Sequence, residues 1–276
     1  MSAGDARERL LAEPTSQSQG CCSFVRRWTQ WRDGGTDRAC WKLLCSVTLV
    51  AEMVYYLHVV RRRVSDEQQF AALCFVAVTF SLKALVETWG QDTPTWICPG
   101  TVVVFFMIYA LIIPGIIYSD GICTQNPDIL FDCRNVLGLA LYIFGSSYSL
   151  SYEVGRFAWK ARPENRGKLH TIGLASLCIH PNYFGDLFIY TGWGLVTGTS
   201  CSLGVPAAMV ASFVFIVIPN SDSYLASRYE SEWPAYAEKT AILLPGVRSA
   251  AANKVLGIAC LLVSFWLSAA CAGQCG

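Results

Sequence analysis

The densest chemistry in the chain lies in "CIHPNYFGD", residues 178–186. An imidazole, a carboxamide, a phenol and a carboxylate fall within it, at His180, Asn182, Tyr183 and Asp186. Upstream, Arg156 and Lys160 are four residues apart and so share one face of a helix. Arg162, Arg166 and Lys168 follow, which makes five cations in the segment 156–168. Such a rim holds anions, either lipid headgroups or the phosphates of a cofactor. Pro181 opens a helix without losing an N–H, and a helix start offers its free N–H groups to an anion. Asn182 and Tyr183 then sit in the first turn, with His180 just ahead of it. This arrangement suits a binding edge better than a lipid-facing helix end. A second polar block, "SDSYLASRYESEWPAYAEKTAILLPG", carries Asp222, Arg228, Tyr229, Glu230, Glu232, Trp233, Tyr236 and Lys239. An interfacial helix explains its rings, and two such blocks on one side of a membrane can fold over one ligand.

The elements that must position these groups are apolar. Of 276 residues, 53% are hydrophobic and 15% charged, against about 25% charged in soluble domains. Apolar runs of about 18 residues are membrane-span candidates; segments 43–60, 97–118 and 255–272 qualify. Segments 70–86, 136–150, 184–197 and 204–219 are shorter or more polar. None alternates as the strands of a membrane barrel would. The expected fold is therefore all-α, a polytopic membrane helical bundle of six or seven transmembrane helices. Residues 1–40 read as a polar tail and interfacial segment, with Trp28, Trp31, Arg26 and Arg27 suited to the headgroup zone. Residues 41–133 read as the N-terminal transmembrane helices, 134–247 as the region carrying the chemistry, and 248–276 as a final transmembrane helix.

Basic residues gather in the N-terminal tail, in 156–168 and in 228–254, which the positive-inside rule assigns to the cytosol; Arg61, Arg62 and Arg63 fall on the other side by this count. A net charge of +1 gives no bulk attraction to nucleic acid. The 13 cysteines are scattered, with no paired spacing that would suggest a metal. Cys123 and Cys133 bracket a loop and could pair if it were lumenal. Charges inside or beside the spans, Glu52, Lys83, Glu87, Glu153 and Asp186, are costly in lipid and face a cavity or a partner. Lys83 and Glu87, four apart, can neutralise each other. Glu52 lies within a turn of Tyr55 and Tyr56, an arrangement that serves either proton delivery or a structural hydrogen bond.

"RFAWKARPENRGKLHTIGLASLCIHPNYFGD" followed by "SRYESEWPAYAEKTAILLPG" resembles the membrane-embedded steroid 5-alpha-reductase-like proteins, in particular the subgroup known as domain of unknown function 1295. Sterol C14 and C7 reductases are relatives, and isoprenylcysteine and phospholipid methyltransferases are more distant ones. The resemblance covers about residues 153–247. It implies a helical bundle in the endoplasmic reticulum membrane, whose C-terminal part holds NADPH from the cytosolic side. Hydride would pass to an activated C=C bond of a lipid or sterol-like substrate. Carried over by position, Arg156 and Lys160 match a basic pair near the cofactor phosphates, Asn182 and Tyr183 an Asn-Tyr near the nicotinamide, and His180 the preceding His. Asp222 matches an acid, with Ser221 as competitor; Arg228 and Tyr229 match a basic-Tyr pair, and Tyr236 a late Tyr. Tyr183 is the expected proton donor, with Glu52 or Glu87 assisting. Ile179 stands where the family has Arg, and Ala175 and Ser176 where it has an aromatic ring. The rival chemistry is S-adenosylmethionine-dependent methyl transfer, which needs fewer cations because that cofactor has no phosphate. The rival from another class is a non-catalytic lipid-binding relative.

Overall fold

The computed structural model describes residues 35–90, 132–198 and 201–273. These residues form helices α1 (Gly35–Arg63), α2 (Glu67–Gly90), α3 (Cys133–Ala161), α4 (Pro181–Thr197), α5 (Gly204–Ser212), α6 (Ile218–Arg228), α7 (Trp233–Lys239) and α8 (Ala250–Gly273). Among them there is no strand, only an isolated parallel bridge between Cys178 and Ala241. Among the described residues three helical stretches are long and apolar enough to cross a membrane: Leu43–Arg62, Glu67–Glu87 and Gly204–Arg228. The apolar runs expected at 136–150, 184–197 and 255–272 fall inside α3, α4 and α8. The run at 97–118, Trp28, Trp31 and Cys123 lie outside the described residues; Cys133 is an exposed free cysteine. Leu43, Val47, Val54, Val86, Val136, Ile216, Val255 and Leu262 are all exposed. Rows of apolar side chains without a protein partner suit a lipid environment.

The pairing that sets the site is α3 against α4. It is built from four glycines, Gly138 and Gly145 on α3 and Gly185 and Gly192 on α4. A Cβ at Gly145 would stand 2.5 Å from the Gly185 carbonyl oxygen, and one at Gly192 2.5 Å from the Gly138 carbonyl oxygen. The two backbones therefore touch, as small residues allow in membrane helices. Tyr56, Leu73, Val76, Phe80, Tyr142, Ile189 and Trp193 fill the core that α1 and α2 add to this pair. Its buried rings have matched polar tips: the Trp193 indole donates to the Tyr56 hydroxyl at 3.2 Å, and the Tyr142 hydroxyl donates to the Val76 carbonyl at 3.0 Å. At the opposite end of α3, Asp132 and Asn135 form a capping box. The Asn135 and Gln69 amides both donate to the Val196 carbonyl, which pins α2, α3 and α4 together far from the polar blocks.

Between α5 and α6 the helix runs on through a π-helical turn, Phe213–Val217, in which the Ile218 N–H reaches back to the Phe213 carbonyl. The cause is Pro219. A proline inside a helix lacks an N–H and clashes with the carbonyl four residues back, and a widened turn relieves both.

Candidate functional site

The site begins where α3 leaves the apolar layer. Ser149, Tyr152, Arg156 and Lys160 follow one another at helical spacing. Arg156 Nη2 is 3.1 Å from Glu153 Oε2, within the same turn, so part of its charge is spent locally. Lys160 has no carboxylate within ion-pair distance among the described residues. Burial, then the charges of Arg156 and Arg228, hold the Lys160 ammonium down at about 8, with Glu153 pulling the other way. Arg228 thus stands close enough to act on Lys160, although it ends α6 and is 68 residues away in sequence. His170 is pushed below its usual range by burial, Arg156 and Lys160. Its ring stands 5.1 Å from that of Trp159 and 5.9 Å from that of Tyr152, and its buried Nδ1 has no partner among the described residues.

The linker from α3 to α4 is held by the second polar block. The Ile179 N–H donates to the Ala241 carbonyl at 2.8 Å and the His180 N–H to the Ile242 carbonyl at 3.3 Å. The Leu169 N–H donates to Glu232 Oε2 at 3.2 Å. The Tyr236 hydroxyl donates to the Ala175 carbonyl at 2.7 Å. These contacts bring the two polar segments together at one end of the bundle. They also give Tyr236 a positioning task, since its hydroxyl is already used. Leu169, Ile179, Tyr229 and Tyr236 form a small apolar cluster of their own. The two departures from the resembled pattern therefore have local explanations: Ile179 fills this cluster, and Ala175 is fully buried beneath Tyr236.

His180 precedes α4 but makes no side-chain cap to it. Its Nε2 lies 2.8 Å from Asp222 Oδ1 instead. The Tyr183 hydroxyl lies 3.1 Å from Ser221 Oγ. The Tyr183 ring is stacked between the His180 ring at 5.1 Å and the Phe213 ring at 5.1 Å. Asp222 and Ser221, alternatives at the sequence level, are thus both used, by His180 just ahead of α4 and Tyr183 in its first turn. The π-turn makes this possible. Phe213 and Ser221 are eight residues apart, and a regular helix would turn them away from each other by roughly 80°. The turn absorbs about one residue and leaves roughly two whole turns between them, so both face Tyr183. Asn182 is half-buried in the first turn of α4, and among the described residues its amide has no hydrogen-bond partner.

The two halves meet at Tyr152. Arg156, Glu153, Cys178 and Tyr183 all act electrostatically on its phenol, so it lies between the cations and the His180–Tyr183 stack. Sequence reading overlooked Tyr152, although its position one turn before Arg156 was signal enough. Phe213 was overlooked too, and no sequence signal separates it from the other apolar residues of its span.

The carboxylates expected to assist are differently placed. Glu87 lies 2.7 Å from Lys83 Nζ on α2, and Lys83 is 3.6 Å from Asp186 on α4, one turn along from Tyr183. Glu52 is buried on α1, and neither of its oxygens has a hydrogen-bond partner among the described residues. No described contact joins Glu52 to Tyr183 or to the Lys83 group.

Comparison with known proteins finds one family model, described as a protein of unknown function (DUF1295), which matches residues 80–240. The match takes in every site residue above except Glu52. It starts early enough to include Lys83 and Glu87, well ahead of the segment that carried the resemblance. No curated protein and no solved structure matches the chain.

Proposed function

We propose that this chain, which belongs to the DUF1295 family of proteins of unknown function, is a membrane-embedded reductase that uses NADPH to saturate a C=C bond in a lipid or sterol-like substrate. One observation carries the reading. Arg156, Lys160 and Arg228 come together from two distant helices, and among the described residues only the Glu153 carboxylate offsets them. Bringing like charges together in a half-buried place costs stability unless an anion is expected there. The residues present fit a phosphate-bearing cofactor. Among the described residues Lys160 and Arg228 lack carboxylate partners, His170 Nδ1, close to Lys160, is an unmatched polar group, and the Asn182 amide at the start of α4 has no hydrogen-bond partner.

In this reading Lys160, Arg228 and Arg156 hold the phosphates, Trp159 and His170 flank them, and Asn182 binds the nicotinamide amide. Tyr183 lies against the reacting end, kept in place by Phe213, His180 and Ser221, with Asp222 fixing the His180 ring. Bound there, the cofactor would supply a hydride. The substrate would enter sideways from the bilayer, through a bundle with more spans than the three helices that meet length and apolarity on their own. S-adenosylmethionine fits this rim less well, because it brings no phosphate to three cations. Titration of the purified protein with NADPH, NADH and S-adenosylmethionine, followed by tryptophan fluorescence, tests the proposal. NADPH should bind most tightly. Preference for S-adenosylmethionine would move the chain to methyl transfer, and binding of none would remove the catalytic reading.

A further inference from the structure

Lys83, Glu87 and Asp186 form a separate polar group at the α2–α4 contact, away from the cation rim. Lys83 Nζ is 2.7 Å from Glu87 Oε1 and 3.6 Å from Asp186 Oδ1. All three side chains are largely buried, at 11%, 6% and 18% exposed, which decides the matter of charge. One ammonium faces two carboxylates, so with all three ionised the group carries an excess negative charge. The other polar groups that act on it do not cancel this charge. Glu153 of α3 adds a further carboxylate but is paired with Arg156. Tyr142 of α3 and Tyr183 and Tyr190 of α4 are phenols, and Asp222 of α6 acts on Tyr183 only from the far side, next to His180. Among the described residues no second cation reaches the group. An uncompensated carboxylate inside a membrane bundle is costly, and the smallest cation that removes the cost is a proton.

We propose that Lys83, Glu87 and Asp186 form a one-proton site, in which the two carboxyls share a proton that is available to a substrate in the membrane. The two carboxyls titrate as a pair, so the proton belongs to both. Lys83 sets the number of protons held: its single positive charge balances one carboxylate and leaves the other to be neutralised. The use of that proton rests on the reductase reading. Once hydride has added to one carbon of the C=C bond, the π electron pair is left on the neighbouring carbon or its conjugated oxygen; that atom takes the proton as the O–H bond of the carboxyl breaks, and the carboxylate recovers a proton from water through the polar end of the bundle. The existence of the site does not rest on that reading.

The test is infrared spectroscopy of the full chain in lipid nanodiscs at neutral pH, reading the deuterium-sensitive carbonyl stretch of protonated carboxyls. A Glu52→Gln background removes the other buried carboxyl that lacks a partner. In that background one such band is expected. Glu87→Gln and Asp186→Asn should each abolish it, because each leaves a balanced ion pair with Lys83. Lys83→Met should instead raise its intensity about twofold, because both carboxyls then hold protons. Absence of the band in the background protein overturns the proposal, and so does its survival in both carboxamide variants. NADPH affinity is measured on the same samples. Loss of NADPH binding with the band pattern intact would remove the reductase reading and leave the proton site standing.

Discussion

Replacing Lys160 with Met keeps a long apolar stem and removes the charge. In the free protein the Lys160 ammonium is held down at about 8, first by burial and then by Arg156 and Arg228. The ordinary value is about 10.4, so the depression is worth roughly 3 kcal/mol at about 1.4 kcal/mol per unit. Lys160 is partly exposed, and solvent screening reduces this to about half. A phosphate seated on the three cations recovers that energy, because it attracts the group that its neighbours repel. Lys160→Met should therefore weaken NADPH by about tenfold near neutral pH. The pH dependence has a definite sign. Lys160 is mostly protonated below about 8 and mostly neutral above it. A bound anion raises its pKa, so binding takes up a proton as pH rises, and affinity falls through that range. Between about pH 7 and about pH 9 the wild-type affinity should drop about tenfold, whereas the variant should stay nearly flat. Fluorescence titration at the two pH values measures both effects. An unchanged affinity in Lys160→Met near neutral pH would refute the argument, since the field at Lys160 would then serve no anion.

Asn182→Leu should weaken NADPH by roughly tenfold to a hundredfold, the loss of about 1 to 3 kcal/mol for one hydrogen bond. A drop in thermal stability with affinity unchanged would make the amide purely structural. Arg156→Ala should weaken NADPH more than NADH if it reads the extra phosphate, and both about equally if it holds the pyrophosphate; titration with each nucleotide separates the two. Gly145→Val should cost about 3 kcal/mol or more in stability, because a side chain cannot fit against the Gly185 carbonyl without parting α3 from α4; thermal unfolding in detergent measures it. Deleting Ile216 should convert the π-turn to regular helix, rotate Ser221 and Asp222 away from Tyr183 and His180, and lower NADPH affinity while secondary structure by circular dichroism is retained.

Apolarity fixed the helical class and the approximate positions of α1 to α5 and α8, because backbone groups in lipid must be satisfied within the segment; α7 and most of α6 lie in the polar block and carried no such signal. Chain-local spacing also fixed what lies on one helix face, such as Arg156 with Lys160 and Lys83 with Glu87. It placed a polar helix start at Pro181. Tertiary structure alone decided which distant groups meet. No spacing in the chain shows that Arg228 approaches Lys160, that Asp222 serves His180 while Ser221 serves Tyr183, or that Asp186 joins the Lys83 pair from another helix. Glu52 and Glu87 are both acids on apolar helices; spacing paired Glu87 with Lys83, whereas only packing left Glu52 without a partner among the described residues. The difference has a physical origin. Hydrophobicity and helical period act over one or two turns, whereas these contacts depend on how closely α3 and α4 approach and on the rotation that Pro219 imposes through the π-turn.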